Sequence, residues 1–324
     1  MDALSSVLLD IHLKQANFAT IQLTSDYRLE PLVPKQTMVF YIVISGELKL
    51  QLRDSELPAN TGDMLMMPQG LAPAIICGSG ERVQKLDLSQ FTTSTSLHHV
   101  GAGTPCAQLL IAWCEYDQGM ARPLLSALPE VLPERPVGDD GLPVIFAKVT
   151  EQMGLGSMIH SEILRLGLAY LAVEVRTERL GQATMLNRLC SMLMVECLRE
   201  HIEGLSEEST SWLMALKDRH LAKAISALHS DPAHNWTISS LAEIAGMSRS
   251  SFAERFRQIM DDTPLGYLTD YRLRIAARYL RLGQYSVGQI SALVGYASDS
   301  TFSQAFKRAY GLSPMQFRKS LADD

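Results

Sequence analysis

Gly295-Tyr296-Ala297-Ser298-Asp299-Ser300-Thr301-Phe302-Ser303-Gln304-Ala305-Phe306-Lys307-Arg308 reads as a glycine stop, a turn and a short amphipathic helix. Upstream, Ser286 opens a short helix that Gly295 closes. Phe302 and Phe306 stand one helical turn apart and so share a face. About 48 residues earlier the same order occurs. Thr237-Ile238-Ser239-Ser240-Leu241-Ala242-Glu243-Ile244-Ala245-Gly246 is a capped helix with a glycine stop, and Met247-Ser248 turns. Residues 249–260 then carry Phe252 and Phe256 at the matching spacing. Leu241, Ile244 and Ala245 play the parts of Ile290, Leu293 and Val294. One such helix–turn–helix text can arise by chance; two with matched phenylalanine pairs mark an internal duplication.

Between the copies, residues 264–282 read as one helix, with Pro264 in its first turn and Gly283 past its end. At about 1.5 Å per residue it spans roughly 28 Å. Adjacent major-groove segments on one side of B-DNA lie about 34 Å apart. The spacing therefore predicts two recognition helices held near the groove repeat, and a DNA-binding module in the C-terminal third.

The stretch 295–308, with Gly311-Leu312-Ser313-Pro314 after it, resembles the signature of the AraC/XylS family of bacterial transcriptional regulators, and the resemblance runs from about 221 to 319. The chain differs from the usual signature at Ser298, often Asp, and Gln304, often Arg. Residues 20–200 more loosely resemble the cupin-type sensor domain of one branch of that family. That part rests on Gly62-Asp63-Met64-Leu65-Met66-Met67-Pro68, on His98-His99-Val100-Gly101-Ala102-Gly103, and on Leu128-Pro129 after Tyr116-Asp117. The resemblance implies a small-molecule effector bound in the N-terminal half, with double-stranded DNA, RNA polymerase and a second copy of the chain as partners. Phe40, Tyr41 and Met66 are candidates to line an effector cavity, with core packing as the ordinary alternative.

With Phe252, Phe256, Phe302 and Phe306 facing inward, the opposite faces present the candidate DNA contacts. Base readout is expected from Ser250, Ala253, Glu254, Ser300 and Gln304, with Ser303 also on the DNA-facing side: glutamine pairs with adenine, glutamate accepts from cytosine, and alanine meets the thymine methyl. Arg249, Arg257, Lys307 and Arg308 are expected on phosphates. Asp299, near a helix start, suits the helix dipole better than a base.

Composition agrees once the chain is divided. The net charge is -6, but residues 1–215 hold 15 basic against 25 acidic side chains, and residues 216–324 hold 14 against 10. The first part is thus -10 and the second +4. No run approaches the roughly 18 apolar residues of a membrane span, and residues 1–4 do not read as a secretion signal, so a cytoplasmic protein is expected. The five cysteines, Cys77, Cys106, Cys114, Cys190 and Cys197, show no CxxC spacing and read as reduced thiols.

Residues 18–117 read as short strands with closely spaced turns, an antiparallel barrel or sandwich. Residues 123–143 hold five prolines and read as a connector. An αα-hairpin follows over 157–179 and 182–202, with Ile159, Ile163, Leu166, Tyr170 and Val173 as one stripe and Met185, Leu189, Met192, Leu193 and Leu198 as another. Apolar residues on both faces of 182–202 suggest a dimer contact. The expected fold class is α+β multidomain: a cupin-like β-barrel with a helical hairpin, then an all-α domain with two helix-turn-helix units joined by a long helix. The expected divisions are 1–204 for sensing and dimerisation, 205–216 for a linker and 217–324 for DNA binding.

An enzyme is not expected. The strand matching a metal cupin's HxH motif, around 38–47, has no histidine, and His98 and His99 point to opposite faces of a strand. No metal and no cofactor is expected, nor is a GxSxG or phosphate-binding loop present. The rival to effector control is a redox-responsive transcription factor that senses oxidants through Cys77, beside Gly78-Ser79-Gly80 in a loop.

Overall fold

The computed structural model describes residues 2–11, 16–91, 97–134, 160–176, 179–206 and 212–321. They divide into two compact units. One holds 14–116 and 128–204; the other holds 1–13, 117–127 and 205–324.

The first unit is the expected cupin-like barrel. Its spine is the 15-residue strand β3 (Thr37–Gln51), which pairs through Thr37–Gly46 with β9 (Pro105–Glu115) and then turns to meet β4 (Glu56–Asn60) and β6 (Ala74–Ile76). The turn falls at a bulge between Val43 and Ser45 followed by Gly46 at φ +85°, where a side chain would run into the Cys106 carbonyl. β1 (Asn17–Thr24) pairs antiparallel with β9 and parallel with β8 (Leu97–Val100), β5 (Met64–Met67) pairs with β3, and β2 (Tyr27–Leu32) lies between β6 and β7 (Arg82–Asp87). Alternate residues of these strands meet in one buried cluster: Ile21 and Leu23, Val39 and Val43, Leu65 and Met67, Ile111 and Trp113.

The αα-hairpin forms as α3 (His160–Arg176) and α4 (Gln182–Gly204). Its inward stripe differs from the one expected. Leu164, Leu168 and Leu171 are buried, whereas Tyr170 and Val173 are 37% and 40% exposed. Gly167 lies on the contact between the two helices, where a side chain would come within 2.7 Å of the Met192 side chain and 2.8 Å of the Leu193 side chain. Ile159 lies outside the described residues.

The second unit contains the duplicated helices, and the breaks within each copy fall where local signals placed them; a further short helix occupies Trp212–Lys217, almost all of it within the stretch expected as a linker. The first lobe holds α5 (Trp212–Lys217), α6 (Leu221–Ser230), α7 (Ile238–Ala245) and α8 (Arg249–Met260). The 19-residue linker helix α9 (Pro264–Leu282) leads to α10 (Val287–Leu293), α11 (Asp299–Tyr310) and α12 (Pro314–Ser320). The duplication is exact in its hydrogen bonds. Met247 N–H reaches Ala242 O and Gly246 N–H reaches Glu243 O; Tyr296 N–H reaches Ser291 O and Gly295 N–H reaches Ala292 O. Thr237 and Ser286 each cap within a capping box, and Ser248 and Ser298 cap the recognition helices.

Two hydrophobic cores result, one per lobe. Leu241, Ala245, Phe252 and Phe256 close on Tyr267 and Leu268 of the linker helix. Ile290, Val294, Phe302 and Phe306 close on Leu273, Ala276, Ala277 and Leu280 of its second half. Two helices from far upstream join this unit: α1 (Ala3–Asp10) and α2 (Gln118–Ala127). Asp10 Oδ2 lies 2.6 Å from His229 Nδ1 and accepts from the Tyr271 hydroxyl at 2.6 Å. Asp117 accepts from Arg281 at 2.8 Å.

Candidate nucleic-acid interface

Each recognition helix buries its two phenylalanines completely, so its other face is turned out. Arg249, Ser250, Glu254 and Arg257 are exposed on α8; Ser300, Gln304, Lys307 and Arg308 are exposed on α11. Ala253 and Ser303 are half-buried at equivalent places, low on the flank of each helix. Ser250 matches Ser300, Ala253 matches Ser303, Glu254 matches Gln304 and Arg257 matches Lys307, so eight of the ten residues singled out from sequence fall in four corresponding pairs; Arg249 and Arg308 stand opposite Asp299 and Gln258.

The arginines of this unit divide by what holds them. Arg255 pairs with Asp218 at 2.5 Å, Arg272 with the carbonyls of Pro232 and His234, Arg274 with Asp270, and Arg278 and Arg281 with Asp117. Burial would raise the Asp218 pKa. Hydrogen bonds from the Leu221 amide, the Arg255 side chain and the His220 amide outweigh it, and the carboxyl is held below its ordinary value. Among the described residues, Arg249, Arg257, Lys307 and Arg308 are in no ion pair, and their charge is available to an outside anion. Asp299 starts its helix with its carboxylate against Gly288 of α10, consistent with a dipole and packing role.

The three residues proposed for an effector cavity do not share a face. Tyr41 points into the barrel cluster beside Val39 and Val43 and donates to the Leu71 carbonyl at 3.3 Å. Burial drives its pKa far up, so the hydroxyl stays protonated. Phe40 and Met66 are paired neighbours on the opposite side of the sheet, buried outside that cluster. The alternation of a strand rules out a common cavity for 40 and 41.

Cys77 is not an accessible loop thiol. It is fully buried at the end of β6 and disulfide-bonded to Cys106 on β9, with the Cα atoms 6.6 Å apart. The expectation of five reduced thiols is corrected to three. Nothing in the 29-residue separation revealed the pair; it exists because β6 and β9 both pair with β3 around its bend. Cys114 and Cys190 are buried, and burial pushes both thiols up to about 12. No group of three potential metal-ligating side chains occurs among the described residues. No described helix is long and apolar enough to cross a membrane.

Comparison with known proteins agrees with both halves. A family model described as Helix-turn-helix domain matches residues 241–320, and one described as Cupin matches residues 2–149. The HTH-type transcriptional regulator AlkR of Acinetobacter baylyi is 32% identical over 327 residues, spanning 98% of this chain and 99% of that one. A Streptomyces lividans protein described as an AraC-like transcription regulator is 37% identical over 160 residues, 49% of this chain and 53% of the other. The RCS-specific HTH-type transcriptional activator RclR of Escherichia coli is 29% identical over 98% of both chains. Duplicated helix-turn-helix units, a cupin-like barrel and full-length likeness to a regulator lead to one conclusion: the chain belongs to the AraC/XylS family of DNA-binding transcriptional regulators, with an N-terminal cupin domain.

Proposed function

We propose that the protein is a sequence-specific regulator whose two recognition helices read adjacent major-groove segments of one duplex, under control of a small-molecule effector taken up by the barrel unit. The observation that carries this reading is the pair of corresponding, outward-facing polar sets joined by one continuous helix. Ser250, Ala253, Glu254, Ser300 and Gln304 read bases, with Ser303 on the same DNA-facing side; Arg249, Arg257, Lys307 and Arg308 hold phosphates. The protein works in the cytoplasm as a homodimer and recruits RNA polymerase, with activation as the expected sign, as in the relative named an activator. The α3–α4 hairpin, with Tyr170, Met185 and Met192 partly exposed, is the dimer contact we favour. For fragment work the boundary at 204 keeps α5 whole, whereas the expected boundary at 216 would divide that helix.

Genome-wide mapping of bound sites, followed by two substitutions, tests the DNA reading. Gln304→Ala is expected to relax preference at one base pair by about 1–3 kcal/mol. Arg308→Ala is expected to weaken all sequences alike and to make the salt slope shallower by about 0.9. Identical behaviour of the two variants would remove the division between readout and positioning.

The Cys77–Cys106 bond favours a second reading, control by oxidation. Hydrogen peroxide would take two electrons from the two thiols, leaving the disulfide and two waters. Cys106, only half-buried, is the thiol an oxidant reaches first, and Cys77 closes the bond. Cys77→Ser is expected to abolish a peroxide-dependent change in reporter expression. An unchanged peroxide response in that variant eliminates the oxidant-sensing role.

A further inference from the structure

The two DNA-reading lobes also meet away from the helix they share. Residues 231–236 of the first lobe, between α6 and α7, are braced internally. The His234 amide donates to Asp231 Oδ1 at 3.1 Å, and the Trp236 indole donates to the Asp231 carbonyl at 2.8 Å. The His234 ring lies 4.4 Å from that indole. This segment points the carbonyls of Pro232 and His234 at Arg272 of the linker helix, whose Nε and Nη2 donate to them at 2.6 Å and 2.8 Å. Arg272 sits where the helix passes from the first core, at Tyr267 and Leu268, to the second, at Leu273 and Ala276.

The same segment touches the second lobe at Gly295. A methyl group there would come 2.6 Å from the Ala233 carbonyl oxygen, 2.8 Å from Ala233 Cα and 2.9 Å from Arg272 Nη2. Gly246, its counterpart in the first lobe, has a similar backbone, φ +68° against +81°, and the same hydrogen bonds. A methyl at Gly246 would meet nothing within 4 Å. Glycine at 246 therefore serves only the turn, whereas glycine at 295 also admits the backbone of the other lobe.

We infer that Arg272, the Pro232 and His234 carbonyls and Gly295 form a strut that sets the rotation of the second recognition helix relative to the first, so that the protein measures the spacing between its two half-sites. A charged donor gripping two carbonyls resists twisting better than a single hydrogen bond. The demand on it is clear: with 10–10.5 base pairs per turn, one inserted pair rotates the second half-site by about 35°. The inference rests on the reading that both helices engage one duplex.

The test uses the full chain and a duplex that it selects from a randomised library. One base pair is inserted into, or deleted from, the segment between the two protected half-sites, and binding is titrated. The wild type is expected to lose about tenfold or more in affinity on either change, the size of a poorly matched contact. Arg272→Ala, Arg272→Lys and Gly295→Ala are expected to bind the selected duplex about fivefold to tenfold more weakly, with the spacing penalty cut to about threefold or less. Gly246→Ala, which forces alanine into a similar left-handed turn, is expected to keep the full penalty; thermal unfolding confirms that each variant is folded. Weaker binding with an undiminished penalty in the Arg272 and Gly295 variants would overturn the strut and leave those residues a structural role only. So would variants that match the wild type in both measurements, or loss of the penalty in Gly246→Ala as well. A wild type protecting only one half-site, or indifferent to spacing, would instead overturn the two-helix reading beneath it.

Discussion

Phe306→Ala is expected to destabilise the second lobe by about 3–5 kcal/mol, the range for emptying a fully buried aromatic site. The ring is completely buried and packs on Phe302 at 5.8 Å, Tyr310 at 4.5 Å and Phe317 at 5.3 Å between centroids. Such a loss is a large share of the roughly 5–15 kcal/mol that holds a domain together. Because the lobes have separate cores, amide hydrogen exchange is the measurement to use: protection should fall in α10–α12 and persist in α6–α8. The corresponding footprint should shrink to the half-site of the first lobe. A destabilisation below about 1 kcal/mol would mean that the aromatic cluster is not the keystone of this lobe.

Affinity for duplex DNA is expected to fall roughly a hundredfold between 50 and 200 mM monovalent salt. The estimate follows from the division of the cations. Arg255, Arg272, Arg274, Arg278 and Arg281 are already committed to protein partners, which leaves Arg249, Arg257, Lys307 and Arg308 on the recognition helices. Four neutralised phosphates give a slope of log K against log salt of about -3.6. A titration in potassium chloride measures it directly. A slope much shallower than -2 would mean that the recognition helices do not carry the phosphate contacts assigned to them. The acidic balance of residues 1–215 makes the same point from the other side: any attraction for a polyanion must come from locally exposed cations, since the chain as a whole is repelled.

The DNA-binding half was legible because its signals are local. Hydroxyl caps, glycine stops and a phenylalanine every fourth residue act within one or two helical turns, and the helix 264–282 appears with the limits its Pro264 and Gly283 imply. The barrel was legible as strands and turns but not as an interior and an exterior. Phe40 and Tyr41 both sit in a continuous apolar run, and such a run does not say which neighbour faces the cavity. The buried stripe of the hairpin differs for a related reason: several apolar arcs run along α3, and only packing against α4, at Met192 and Leu193 beside Gly167, shows which of them is covered. That α1 and α2 join the helical unit was invisible, because their partners, His229 and Arg281, are more than 150 residues away in the chain.

Sequence alone thus determined that this chain carries two copies of a DNA-reading device, where each begins and ends, and which side chains each turns outward. The tertiary structure decided what differs between the copies. Gly246 and Gly295 are equivalent in the text and in their turns, yet only the second is crowded by another segment. Capping and periodicity are short-range forces written into adjacent residues. The approach of residues 231–236 to Gly295, like the meeting of Cys77 with Cys106, arises only after separate elements pack, and no local pattern encodes it.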